Sequence, residues 1–207
     1  NPFDPAWFDK QPHWLQVQAA RGVFGEALNH LEPDGEVLHY ILESNLPARL
    51  DPMERSELLQ ALCGRLLMAG RLREAQAILD ENERHFFGQG LRGWMALLRG
   101  DVAEALERYD ADLKQVRRLA GKKVAYFSGI EGIFYPLACI VQGDAGDLAR
   151  LGQLFVWAEP RVPQGSSLSR AYLCIKAILH VLNMEPDLAR DSLKRIQGAT
   201  DSLTVFL

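Results

Sequence analysis

The chain is short of the features that mark most redox, metal-binding and membrane-spanning classes. Its three cysteines, Cys63, Cys139 and Cys174, are far apart and form no Cys-x-x-Cys pair. Zinc knuckles and dithiol redox motifs are therefore without their ligands. Buried, reduced thiols of a cytoplasmic protein are the expectation. The five histidines, His13, His30, His39, His85 and His180, include no His-x-x-x-His pair that could clamp a metal from one helix face. No Asn-x-Ser/Thr sequon occurs. No run approaches the roughly 18 apolar residues of a membrane span, and the longest, residues 133–141, is interrupted by Pro136. The opening Asn1-Pro2-Phe3-Asp4-Pro5 lacks the basic-then-apolar order of a secretory leader. It also lacks a Met, and the chain stops in the apolar Thr204-Val205-Phe206-Leu207, so a piece of a longer cytoplasmic polypeptide is expected.

A basic excess is missing too. Against 23 Lys and Arg stand 27 Asp and Glu, a formal charge of −4. That argues against a dedicated nucleic-acid binder, whose footprint is strongly basic. Strand signals are scarce: period-2 alternation is rare, and Asp34-Gly35 lies between flanks that read as helix. The 207 residues, 48% apolar and 24% charged, suit one globular domain or one short solenoid.

What is present is helical periodicity and a recurring phrase. Val102, Leu106, Tyr109, Leu113, Val116 and Ala120 are spaced 4, 3, 4, 3, 4, one stripe down a helix. Asp101 stands at its start as a cap, and Gly121 at its end. Asp51-Pro52 opens a second helix carrying Leu58, Leu59, Leu62, Leu66 and Leu67. Residues 171–182 are apolar almost all round, broken by Lys176 and His180, which predicts a helix buried on most faces. In that setting His180 reads as a hydrogen-bonded core residue and not as a ligand.

The phrase runs from a helix-ending residue through a short turn to an alanine that opens a new apolar face. It reads Arg21-Gly22…Ala27, Ala69-Gly70…Ala75, Arg99-Gly100…Ala105, Gly143-Asp144…Ala149 and Met184-Glu185…Ala189. The last three intervals between these alanines are 30, 44 and 40 residues. Diverged repeats of helical hairpins have this signature. Small residues recur because the two helices of a hairpin cross closely there. In the fourth copy, Ala145-Gly146 reads as a one-residue insertion.

These anchors resemble the tetratricopeptide repeat, which places a small residue in its first helix, a glycine seven on, an alanine five further and an aromatic four later. Gly93, Gly100, Ala105 and Tyr109 fit all four positions. Cys63, Gly70, Ala75 and Leu79 fit with softer chemistry, and Ala177, Met184 and Ala189 fit without the glycine. The resemblance implies an all-α fold, a right-handed superhelix of stacked antiparallel hairpins, as one domain over residues 1–207. A more local stretch is also informative. Trp94-Met95-Ala96-Leu97-Leu98-Arg99-Gly100, Gly121-Lys122-Lys123-Val124 and Phe127-Ser128-Gly129-Ile130-Glu131-Gly132-Ile133-Phe134 together resemble the helical region preceding the motor of large bacterial SWI/SNF-type helicase-like ATPases. That resemblance implies a non-catalytic scaffold, with the ATP- and DNA-binding motor elsewhere in the parent protein.

Two phosphate-binding readings fail on context. Gly88-Gln89-Gly90-Leu91-Arg92-Gly93 satisfies Gly-x-Gly-x-x-Gly, but a charged helical face precedes it where a dinucleotide site needs a buried strand. Gly121-Lys122-Lys123 has neither the upstream glycine nor the Ser or Thr of a nucleotide loop. No paired-carboxylate or nucleophile arrangement stands out, so no enzyme activity, cofactor or metal is expected of this chain. Lys114, Arg117, Arg118, Lys122 and Lys123 form a basic run without an intervening acid. It reads either as solvated helix-end charge or as a contact for phosphate or an acidic segment. Arg92, Trp94 and Arg170, on the first helices of their hairpins, are the candidates for lining a groove. A protein or peptide segment, such as the parent's own motor, is the expected partner, with nucleic acid reached through the parent and no membrane. The rival readings are a sensor region of a transcriptional regulator and a direct nucleic-acid module using the basic run.

Overall fold

The computed structural model describes residues 3–29, 35–83, 90–121, 131–158 and 165–196. Among these residues all regular structure is helical. Contacts divide the chain into two compact units, residues 1–87 and 88–207.

Among the described residues the first unit holds six helices: α1 (Pro5–Phe8), α2 (His13–Asn29), α3 (Gly35–Glu43), α4 (Leu46–Arg49), α5 (Pro52–Met68) and α6 (Leu72–Glu81). The Asp51 side chain accepts from the Met53 and Glu54 amides at 2.8 and 2.9 Å, with Pro52 in the first turn, so α5 begins as its sequence predicts. Its buried face is Leu58, Leu59, Leu62, Cys63, Leu66 and Leu67. Helix α2 packs on α5 through Val17, Ala20 and Phe24, all at most 3% exposed. The Arg21 guanidinium reaches the Glu57 carboxylate at 2.7 Å on the surface of that contact. Phe3, Phe8 and Tyr40 form an aromatic cluster with centroids 5.3 to 5.9 Å apart. The Tyr40 hydroxyl donates to Asp9 beside it.

The second unit holds α7 (Gly90–Leu98), α8 (Val102–Ala120), α9 (Glu131–Gln142), α10 (Ala145–Ala158), α11 (Ser167–Leu182) and α12 (Pro186–Lys194). Helix α9 is the common neighbour of α7, α8, α10 and α11. Two adjacent aromatics on it serve two different helices. Phe134 stacks on Trp94 of α7 at 4.4 Å and 19°, and Tyr135 meets Tyr109 of α8 at 5.7 Å. The Tyr135 hydroxyl donates to Asp110 of α8 at 3.2 Å. Phe155 of α10 meets Tyr172 of α11 edge-on.

The recurring phrase is a hairpin turn in four of its five copies. Gly70, Gly100, Gly143 and Met184 have φ of 70°, 83°, 73° and 61°, the left-handed region. Each is followed two residues later by the start of the next helix, at Leu72, Val102, Ala145 and Pro186. In three copies the closure is the same pair of bonds. The left-handed residue donates three residues back, and the next donates five back: Arg71 to Leu66 at 2.9 Å, Asp101 to Ala96 at 2.9 Å and Glu185 to His180 at 2.8 Å. This is the Schellman arrangement, which satisfies the last carbonyls of the first helix. At Gly143 a single bond to Cys139 at 3.1 Å does so. Beyond three of the turns the alanine is buried: Ala75 and Ala105 at 0% and Ala189 at 4%. A Cβ added at Gly93 would stand 3.1 Å from three atoms of the Tyr109 ring, so the predicted close crossing is real in that hairpin.

Two details of the sequence reading need correction. The Arg21–Ala27 copy is no turn. Helix α2 runs unbroken through it, and Gly22 sits within the helix at an exposed position with ordinary negative φ. A glycine is tolerated mid-helix, and nothing here follows it with a capping residue or a proline to stop the chain. In the fourth copy no residue is inserted, since the turn has the same length as the others. Ala149 is exposed, and α10 instead buries Leu151 and Phe155. The buried Pro136 lies inside α9, where it removes one backbone donor. The three cysteines are buried thiols, none of them in a disulfide.

Gly93→Val is expected to lower stability to urea by about 1–3 kcal/mol, because Tyr109 is held between Gly93 and Tyr135 and cannot give way. Gly22→Ala, with nothing within 4 Å of the new methyl, is expected to raise it by about 0.5–1 kcal/mol. The Tyr40 phenol is held above its ordinary 10.0 by its hydrogen bond to Asp9, then by burial and by the Asp9 charge, with Arg49 opposing. A raised folded value means this contribution is full below pH 10 and is lost as pH rises through the folded value. Alkaline denaturation monitored by circular dichroism should carry that component in the wild type and lose it in Tyr40→Phe.

Candidate functional site

The basic run predicted from the sequence begins on the last turns of α8. Lys114, Arg117 and Arg118 are exposed there. Their spacing of three and four puts them on one face of the helix. Asp101 caps the other end of α8 by accepting from the Glu104 amide at 3.0 Å, and Gly121, with φ 98°, ends it. The cations thus sit at the negative end of the helix dipole, which by itself favours them. Lys114 and Arg118 have no carboxylate partner among the described residues. Leu119 beside them is 82% exposed. Lys122 and Lys123, with the following Tyr126 and Phe127, lie outside the described residues.

The groove candidates fare differently from one another. Trp94 is 1% exposed, stacked on Phe134, and is a core residue. The reason is α9, whose Phe134 covers the indole face-on. Its indole Nε1 finds no acceptor among the described residues. Arg92 is half-buried on α7. Arg170 of α11 is turned back on its own helix start, donating to the Gly165 carbonyl. A guanidinium held this way steadies the turn before α11, whose Ser166 accepts from the Ser169 amide at 3.1 Å.

Other candidates resolve as structure. The residues before Gly90 that are described belong to α6, a helix, and Gly90 through Gly93 lie inside α7. The strand, turn and helix of a dinucleotide site are therefore not what this glycine pattern builds. Gly88 and Gln89 lie outside the described residues. His180 is hydrogen-bonded, its Nδ1 lying 2.7 Å from Glu185 Oε2, but it is half-buried at the edge of α11 and not in the core. No group of three or more His, Cys, Asp or Glu side chains among the described residues is placed to hold a metal. No described helix is long and apolar enough to cross a membrane.

The sequence reading missed two polar features of this unit. Asp112 on α8 is 8% exposed, and Asp110 receives the Tyr135 hydroxyl. Each breaks the apolar stripe by one position, a signal visible only once the partner helix is known. No family model matches the chain, and comparison with curated proteins and with solved structures gives no match.

A core assignment for Trp94 separates its behaviour from that of the arginines. Trp94→Ala is expected to cost about 3–5 kcal/mol in urea unfolding. Lys114→Ala and Arg118→Ala should each stay within about 0.5 kcal/mol of wild type.

Proposed function

We propose that the chain is a non-catalytic helical-repeat scaffold that binds a protein or peptide segment, as part of a bacterial SWI/SNF-type helicase-like ATPase. The observation that supports the scaffold is the repeated hairpin closure at Gly70, Gly100 and Met184. One short rule of chain reversal, used again and again, builds extended surfaces from few residues, and such surfaces hold partners by shape. The right-handed tetratricopeptide-like superhelix is the architecture this reading adopts. The link to the ATPase rests on the resemblance of residues 91–143 to the region preceding the motor. In that setting the segment bound is the parent's own motor or a protein that regulates it, and the chain works in the cytoplasm. The parent reading frame around residues 1–207 provides the test. A paired-lobe motor with Gly-Lys-Thr/Ser and Asp-Glu motifs is the expected result. A helix-turn-helix in its place would transfer the scaffold to a transcriptional regulator and overturn the ATPase assignment.

A second reading, direct contact with nucleic acid, is favoured by one observation. Three cations share an exposed face at the end of α8, two of them without a carboxylate partner among the described residues. Folding alone does not require such an arrangement, and phosphate would satisfy it. Lys114→Ala with Arg118→Ala is then expected to weaken duplex DNA binding across all sequences. The slope of log affinity against log salt should also fall by roughly 2, about one for each lost phosphate contact. Fluorescence anisotropy between low and moderate salt measures it, and an unchanged slope removes this reading.

A further inference from the structure

Met184 is the one described non-glycine residue with positive φ. At the other three turns of the same kind the residue is glycine, which adopts this conformation without cost. An L side chain there crowds its own carbonyl. Backbone strain of this sort persists only where the surroundings hold it in place. Packing of the Met184 side chain does not supply the hold, because it is 86% exposed.

The hold lies across the turn. Glu185 donates its amide to the His180 carbonyl at 2.8 Å, and the side chains of the same two residues meet at 2.7 Å. The two glycine turns with equivalent closure have only the backbone bond. Leu66 and Ala96, which occupy the place of His180, have no polar side-chain atom to add. The His180 side chain is 17% exposed, so it is held against the helix instead of sampling solvent. With Glu185 ionised, Nδ1 must carry the proton and donate. Both the neutral Nδ1–H tautomer and the imidazolium can do this, so the bond does not depend on charge.

Beyond the turn, α12 packs on α11 through a narrow buried face. Ala189 and Ser192 are its buried residues, while Leu188 and Leu193 are each 50% exposed. The position of Leu193 matches that of Tyr109 in α8 and Leu79 in α6, which are 0% and 1% exposed. Among the described residues, that position in the last hairpin is therefore less covered than in the other two.

We propose that the His180–Glu185 pair is a latch on a strained hinge, and that α12 opens from α11 as one unit when the latch is released. The strain at Met184 favours opening, and the side-chain bond opposes it. The device goes beyond the scaffold reading and does not depend on it. It makes the end of the unit a movable element, with the Ala189 and Ser192 face alternately covered and offered.

Hydrogen exchange of the full chain, read by mass spectrometry at peptide resolution, tests this. His180→Leu should raise exchange over residues 187–194 by roughly tenfold or more, with residues 171–179 unchanged. Met184→Gly should slow exchange over the same segment. The double variant should return towards wild type, because a hinge without strain needs no latch. Glu185→Leu removes the acceptor and should shift exchange in the direction of His180→Leu. It is the variant to read if His180→Leu loses its helical signal. The proposal is overturned if breaking the pair leaves residues 187–194 unchanged, if residues 171–179 accelerate equally, or if Met184→Gly fails to slow the opened variant.

Discussion

A helix that stops in water can fray, but a helix that must reverse into its neighbour has to satisfy its last carbonyls within the turn itself. That constraint organises this chain. A single left-handed residue at Gly70, Gly100 and Met184 points the chain back while two amides close on the carbonyls left behind. Because the next helix begins two residues later at every such turn, its starting direction is set before any side chain packs. The buried alanine three residues into α6, α8 and α12 follows from this. It sits where the two axes are still close, and a larger side chain there would force them apart.

The second unit builds on that reversal at α9. Gly93 removes a side chain from α7 so that the Tyr109 ring can lie flat against its backbone. Tyr109 then offers its edge to Tyr135, while Trp94, one residue after Gly93, offers its face to Phe134. Two neighbouring residues on α9 thus read the two helices of one hairpin. The contacts are cooperative in a simple geometric sense: fill the space at Gly93 and Tyr109 moves, move Tyr109 and the footing of α9 on α8 is lost. The Tyr135 hydroxyl on Asp110 fixes the register of that footing.

Much of this was legible in the chain itself. The caps at Asp51 and Asp101, the stops at Gly70, Gly100 and Gly121 and the small crossing residue Gly93 depend on interactions within a few residues or within one hairpin. Local sequence reports those faithfully. The phrase at Gly22 misleads because a glycine followed by an alanine five residues on is necessary for such a turn without being sufficient. The helix ends only where the chain gains by leaving it, and α2 gains more by continuing along α5. The place of Ala149 misleads because α10 buries a face rotated by one position, which only its contacts with α9 and α11 decide. Trp94 was placed in a groove because a first-helix aromatic is compatible with either side of the helix. Which side it takes is settled by Phe134, a contact across forty residues. The latch at His180 and Glu185 was half visible: the missing glycine at 184 stands in the sequence, but its compensation needs the turn to be closed before the two side chains meet.

The cations of α8 show how surface features separate from folding ones. The helix has 19 residues, about 28 Å of rise. Its first half carries the anchors, Ala105, Tyr109, Asp110 and the cap at Asp101. Its second half keeps Asp112 and Leu113 buried and exposes Lys114, Gln115, Arg117, Arg118 and Leu119. Charge there is expected on dipole grounds, yet the dipole is served by one or two cations and is indifferent to whether they also find carboxylates. Several other cations do find them, as Arg71 finds Glu74, Arg108 finds Glu104, Arg190 finds Asp187 and Lys194 finds Asp191, while the exposed Lys10 and Arg73 have none among the described residues. Among the described residues Lys114 and Arg118 are likewise without a carboxylate, in a chain with more acids than bases. Exposed pairs add little stability, so their omission costs the fold almost nothing. What it leaves is positive potential at one end of the longest helix, a property with consequences only for something that approaches from outside.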